Sequence, residues 1–156
     1  MRDLSLHILD LAQNSVRANA ALVEIMVSVD ESRLITIPIR DDGSGMSDEL
    51  KERVTSPFAT TRTTRKVGLG IPLMMQNARL AGGDVHIDST LGQGTTLTAT
   101  LHGDSIDCLP LGDLAGTVVS LVSANPERPD FRLSCSSPLS LIHISAGAGE
   151  RAPERA

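Results

Sequence analysis

Two short glycine-bearing segments restrict what this 156-residue chain can become. The first, Asp41-Asp42-Gly43-Ser44-Gly45-Met46, follows a run in which Ile35, Ile37 and Ile39 alternate onto one side of a strand. A strand that ends in a carboxylate and turns at once through Gly-x-Gly sets an acceptor at its end and lets backbone press against a neighbour without a side chain between. The second segment, Val67-Gly68-Leu69-Gly70-Ile71-Pro72-Leu73-Met74, hinges a loop into a helix, with Pro72 tolerable in the first turn. A terminal carboxylate, a Gly-x-Gly turn and a glycine-hinged loop opening a helix describe a nucleotide pocket built without a P-loop. A dinucleotide-binding reading fails, because neither GSGMSD nor GLGIPL carries the third glycine and no βαβ unit surrounds them.

Composition removes other classes. Net charge is −5, from 14 basic and 19 acidic residues, and no segment is densely basic, so neither nucleic acid nor a membrane surface is an expected partner. Met1 leads straight into an amphipathic helix without a signal peptide's basic start, and no apolar stretch approaches the ~20 residues of a membrane span. Cys108 and Cys135 stand apart, which reads as free thiols in a cytoplasmic protein. With two Phe and no Trp or Tyr, aliphatic residues must fill the core.

The periodicity predicts a helix over 4–18, strands over 22–29 and about 35–39, and a short helix from a Ser47 N-cap to about Val54. Pro38 has no N–H, so its strand lies at an edge or turns that position away from its neighbour. Residues 55–67, rich in Thr and Arg, read as a mobile loop. A helix over 69–81 ends at Gly82-Gly83, and a hairpin follows, Val85–Asp88 with Thr95–Leu101 about Leu91-Gly92-Gln93-Gly94. Thr117–Ser123 and Asp130–Leu133 read as further strands. One domain is expected over 1–133. From 134 to 156 the composition reads as a disordered or non-native tail, the run LSLIHIS resembling translated adapter or frameshifted sequence.

Taken in order, Asn14 in the first helix, Asp41-x-Gly43-x-Gly45, Gly68-x-Gly70 and Gly92-x-Gly94-Thr95 resemble the GHKL (Bergerat-fold) ATP-binding module over roughly residues 4–102. That module is the ATPase domain shared by sensor histidine kinases, anti-sigma serine kinases, type II topoisomerases, mismatch-repair ATPases and the ninety-kilodalton chaperones. The resemblance implies an α+β fold, a two-layer sandwich with a mixed, mostly antiparallel sheet covered by helices on one face.

It also implies roles. Asn14 would ligate Mg2+, which favours oxygen donors at octahedral angles, and Arg17 would reach a phosphate. Asp41 would accept the adenine amino group and repel a guanine carbonyl. Gly43, Gly45 and Met46 would border the base, and the Thr95 hydroxyl would help hold the adenine–Asp41 pair. Ser56-Pro57-Phe58-Ala59-Thr60-Thr61-Arg62 resembles the kinase lid motif, with a core residue as the alternative reading of Phe58. Thr60, Thr61, Arg62 and Lys66 would then serve phosphates, with Gly68, Leu69, Gly70 and Ile71 forming the hinge and helix start that face them. Asp10 takes the position at which topoisomerase-like members carry a Glu base. One methylene shorter, it is readable as a base or as a partner in the magnesium shell.

The histidines His7, His86, His102 and His143 show no metal spacing, and His7 lies too near the start to match the family's phosphoacceptor hairpin. The function implied is binding of Mg-ATP and transfer of its γ-phosphoryl to a partner protein or to water in signal transduction. The alternatives are an anti-sigma-type serine kinase regulator and a non-catalytic nucleotide-sensing module.

Overall fold

The computed structural model of the chain describes residues 3–55, 70–138 and 140–146. Helix α1 (Leu4–Arg17) starts on Asp3, whose carboxylate accepts the Leu6 N–H at 3.1 Å. Strands β1 (Leu22–Val29) and β2 (Leu34–Asp41) follow, then helix α2 (Asp48–Thr55), where the Ser47 hydroxyl caps the Leu50 N–H at 3.1 Å. Helix α3 (Gly70–Leu80) ends on a 2.8 Å bond from the Gly83 N–H to the Ala78 carbonyl and passes into strands β3 (Asp84–Thr90) and β4 (Gly94–His102). Helix α4 (Leu114–Ala124) and strands β5 (Asp130–Ser137) and β6 (Ser140–Ala146) complete the described chain.

The strands form one open six-stranded sheet in the order β3-β4-β2-β1-β5-β6. All pairings are antiparallel except β1 with β5. Period-2 alternation sends Val23, Ile25 and Val27, Ile35, Ile37 and Ile39, and Leu97, Ala99 and Leu101 into one buried layer. Helix α1 closes it with Leu4, Ile8, Leu11 and Ala12, and α3 with Ile71, Met74, Met75 and Ala78. Phe131 on β5 is fully buried and gives this aliphatic core an aromatic anchor. The result is the expected two-layer sandwich, with helices on one face of a mostly antiparallel sheet.

Pro38 sits on a central strand, not an edge. The ladder from β2 to β4 runs through Pro38↔Thr98, whereas the β1–β2 register lapses between Ile25↔Ile39 and Ser28↔Thr36. The missing N–H is therefore absorbed as a gap on the β1 side.

The segment 117–123, expected as a strand, is helical. Its β-branched run carries strand propensity, but Asp113 accepts the Gly116 N–H at 2.9 Å and caps a helix over it. Thr117, Val118 and Leu121 are then buried on one face, and the Thr117 hydroxyl reaches the Ser5 carbonyl of α1 at 3.2 Å. Packing against α1 and β5 overrides local propensity. Beyond Leu133 the extended structure continues: β5 runs to Ser137 along the open edge of β1, and β6 pairs with it from Phe131↔Ala146 to Ser137↔Ser140.

Candidate functional site

The sheet register joins two of the sequence motifs. Asp41, the last residue of β2, lies directly opposite Thr95 at the start of β4. The Asp41 carboxylate is held from two sides, by the Ser15 hydroxyl of α1 at 2.5 Å and by the Gly43 N–H at 2.9 Å. The Thr95 hydroxyl lies 2.8 Å from the Ser89 hydroxyl of β3. Ser89, itself buried, accepts the Met46 N–H at 2.8 Å and donates to the Gly94 carbonyl at 3.1 Å, so one hydroxyl ties the glycine turn to the hairpin. The Lys51 ammonium of α2 donates to the Ser89 carbonyl at 3.2 Å.

Both turn glycines are required by close approach. A Cβ on Gly43 would stand 2.7 Å from the Ala18 carbonyl oxygen at the end of α1. Gly45 has φ +71°, and a Cβ there would collide with the Thr90 carbonyl of the hairpin. Asp42 is exposed, yet it accepts the Ala21 and Leu22 N–H groups at 2.7 and 3.0 Å and so fastens the turn to the start of β1. Burial pushes its pKa up, but these backbone donors outweigh that and leave the carboxyl below its ordinary value.

On α1, Asn14 and Arg17 flank the same opening. The Arg17 guanidinium donates to the Asn14 amide oxygen at 2.9 Å. Gly70, the first residue of α3, rests on this helix: a Cβ there would lie 3.4 Å from the Asp10 Cβ and 3.7 Å from the Asn14 Nδ2. Helix α3 thus begins in ordinary contact range of the Asp10–Asn14 turn, and a Cβ at this position would be tolerated.

These groups border a cavity of about 230 Å³. Leu11, Ile39, Val54, Ile71 and Leu97 are apolar parts of its lining, and Asn14, Ser15, Asp41 and Thr95 bring polar atoms to it. An apolar floor with a few convergent polar groups is the ordinary make-up of a small-molecule site. Asn14, Arg17, Asp41, Gly45, Met46, Ile71 and Thr95, all singled out in the sequence, line it, whereas Asp10, Gly43 and Gly70 shape the adjoining backbone and helix contact. Phe58, Thr60, Thr61, Arg62, Lys66, Gly68 and Leu69 lie outside the described residues.

Sequence reasoning missed Ser15 and Ser89, the two hydroxyls that hold Asp41 and Thr95. Ser15 is 26 positions from Asp41 and Ser89 is 43 from Met46, so no local pattern marks either. Ile39 and Leu97 were readable as neighbours of the site, each lying two residues from Asp41 or Thr95 on the same strand face.

His7 sits apart from this opening at 1% exposure. Its Nε2 lies 3.2 Å from the Asn77 amide nitrogen, which also donates to the Leu73 carbonyl at 3.0 Å. An amide nitrogen only donates, so Nε2 accepts and the imidazole is neutral with its proton on Nδ1. Among the described residues no helix is long and apolar enough to cross a membrane, and no group of three or more His, Cys, Asp or Glu is placed to hold a metal.

The family model described as histidine kinase-, DNA gyrase B- and HSP90-like ATPase matches residues 2–105. The chain is 28% identical over 95 residues to sporulation kinase D of Bacillus subtilis (strain 168), covering 60% of this chain and 19% of that protein. It is 30% identical over 100 residues to the sensor histidine kinase WalK of the same organism, covering 59% of this chain and 16% of that one. Among solved structures, the Erythrobacter litoralis EL346 blue-light activated histidine kinase superposes with a TM-score of 0.48 at 16% identity, over 65% of this chain and 30% of that one. The chain thus spans less than a fifth of the two curated relatives, and the residues that line the cavity lie within the 2–105 matched by the family model. It belongs to the histidine kinase-, DNA gyrase B- and HSP90-like ATPase family, whose common element is an ATP-binding domain.

Proposed function

We propose that the cavity takes ATP with its adenine against Asp41 and that the chain serves as the ATP-binding part of a phosphoryl-transferring signalling protein in the cytoplasm. The observation that carries this reading is the Asp41 carboxylate, pinned by Ser15 and Gly43 at the end of an apolar cavity and facing Thr95 across the sheet. A carboxylate only accepts, so it suits the adenine 6-amino group and disfavours the guanine 6-carbonyl.

The phosphates would then extend toward α1 and the start of α3. The Asn14 amide oxygen is a hard, neutral donor with the Asp10 carboxyl one helical turn away, a donor set that fits Mg2+ completed by phosphate oxygens. Bound there, Mg2+ would neutralise phosphate charge. Arg17, now hydrogen-bonded to Asn14, is within one side-chain movement of serving a phosphate instead. Asp10 would serve either as the base that accepts a proton from the group attacking the γ-phosphorus or as a partner in the magnesium shell.

His7 is neutral, buried and engaged with Asn77, which argues against His7 itself as the phosphoryl acceptor. Titration calorimetry with Mg-ATP and Mg-GTP tests the base pocket. A mispaired buried carboxylate costs about 1.5–3 kcal/mol, so ATP is expected to bind roughly ten- to a hundred-fold more tightly. Equal affinities would remove the reading. Transfer of γ-label to a protein acceptor, against release to water, separates kinase from ATPase.

A further inference from the structure

We infer that Ser15 is the positioning residue for base recognition: through its hydroxyl it fixes the orientation of the Asp41 carboxylate and so sets how strongly the site selects a purine bearing a 6-amino group. This rests on the proposed adenine pocket and adds to it a residue one position beyond the Asn14 motif.

A serine inside a helix ordinarily returns its hydroxyl to the carbonyl four residues earlier. Ser15 instead directs its single proton out of α1 to Asp41 Oδ2, across 2.5 Å and 26 positions of sequence. It is 4% exposed, so the bond is made largely out of bulk water. The other oxygen, Oδ1, accepts the Gly43 N–H at 2.9 Å. The terminal torsion of an aspartate is soft and roughly two-fold, and one bond from a turn glycine leaves the second oxygen free to swing. Two donors on opposite sides, one from a helix and one from the turn, leave a single orientation. Each oxygen keeps a second lone pair for a ligand. A carboxylate fixed before the base arrives loses no torsional freedom on binding, which is the usual source of affinity from preorganisation.

The Ser15 bond is also the direct side-chain link from α1 to the end of β2. Asn14, which lines the same cavity, is its chain neighbour, so the base-selecting and phosphate-end residues share one helical turn.

The test uses the full chain, with Mg-ATP and the triphosphate of purine riboside, which lacks the 6-amino group, as calorimetric probes. Wild type is expected to prefer ATP by about ten-fold or more. Ser15→Ala is expected to lower ATP affinity by roughly five- to ten-fold and to leave the deamino analogue within two-fold, shrinking the preference. Asp41→Asn should collapse the preference, and Ser15→Ala added to Asp41→Asn should change neither affinity further. Ser15→Cys, similar in size with a weak S–H donor, should fall between Ser and Ala, and it provides the same comparison if the alanine variant folds poorly. Equal weakening of both ligands by Ser15→Ala would make Ser15 merely structural. So would additive losses in the double variant. An unchanged preference in Ser15→Ala together with a lost one in Asp41→Asn would overturn the role of Ser15 alone. A wild type that does not distinguish the two ligands would remove the base pocket and this inference with it.

Discussion

Two glycines in the left-handed region separate backbone strain from steric exclusion at the site. Gly45 has φ +71° and Gly92 φ +85°, so alanine at either must adopt a conformation L-residues avoid at about 1–2 kcal/mol. Around Gly92 nothing lies within 4 Å of an added Cβ, whereas at Gly45 the Cβ would meet the Thr90 carbonyl and lie 3.2 Å from the Gly94 carbonyl oxygen. Both obstacles are backbone and belong to the β3–β4 hairpin, which cannot give as a flexible side chain would. Forced overlap of this kind adds about 1–3 kcal/mol. Gly45→Ala should therefore cost about 2–5 kcal/mol and Gly92→Ala about 1–2 kcal/mol, measured from urea unfolding midpoints with unchanged slope. A functional split should accompany the difference. Displacing Gly45 strains the Met46 N–H bond to Ser89, the hydroxyl that also holds Thr95, so ATP affinity should fall in Gly45→Ala and stay within two-fold in Gly92→Ala. Equal stability losses, or equal nucleotide affinities at the two positions, would refute the idea that hairpin contact shapes the pocket.

Much of this arrangement was legible because it rests on local rules. The Ile35-Ile37-Ile39 alternation, the Ser47 cap and the glycines after α3 each act within a few residues, and the elements they specify are present. What local rules cannot carry is pairing. Asp41 faces Thr95 through the β2–β4 register, and Ser15 finds Asp41 through the packing of α1 on the sheet. Neither is encoded by spacing along the chain. The failure at 117–123 has the same origin, because Thr117, Val118, Val119 and Val122 favour a strand until the Asp113 cap and the apolar flank of α1 are taken together. The composition after Leu133 gave equally little warning that β1 offers an open edge, since β5 and β6 gain their order from partners more than 90 positions earlier in sequence or from each other.

Two further perturbations probe the chemistry and the fold. Asn14→Ala should abolish the magnesium dependence of ATP affinity. Asp10→Asn should leave that affinity within a few-fold while lowering turnover by about 10²–10⁴, as loss of a general base does, and unchanged turnover would remove Asp10 from the reaction. His7 gives a pH signature of its own. Burial holds its imidazole below the ordinary value of 6.5, against the opposing pull of Asp10 and Asp3, and protonating Nε2 would set N–H against the Asn77 amide N–H. The unfolded chain thus binds the proton first: stability is full above 6.5 and falls as pH drops from there toward the folded value, with a slope of up to about 1.4 kcal/mol per pH unit. The depressed carboxyls of Asp3, Asp30, Asp42 and Asp84 lose their contributions only below their ordinary 3.8, so they do not overlap the upper part of that window. Urea unfolding between pH 7.5 and 5, conditions spanning about a unit or more on each side of 6.5, should show the slope in wild type and its loss in His7→Gln. The same slope in both proteins would mean that His7 does not titrate on unfolding, and the neutral, Asn77-bonded imidazole would have to be abandoned.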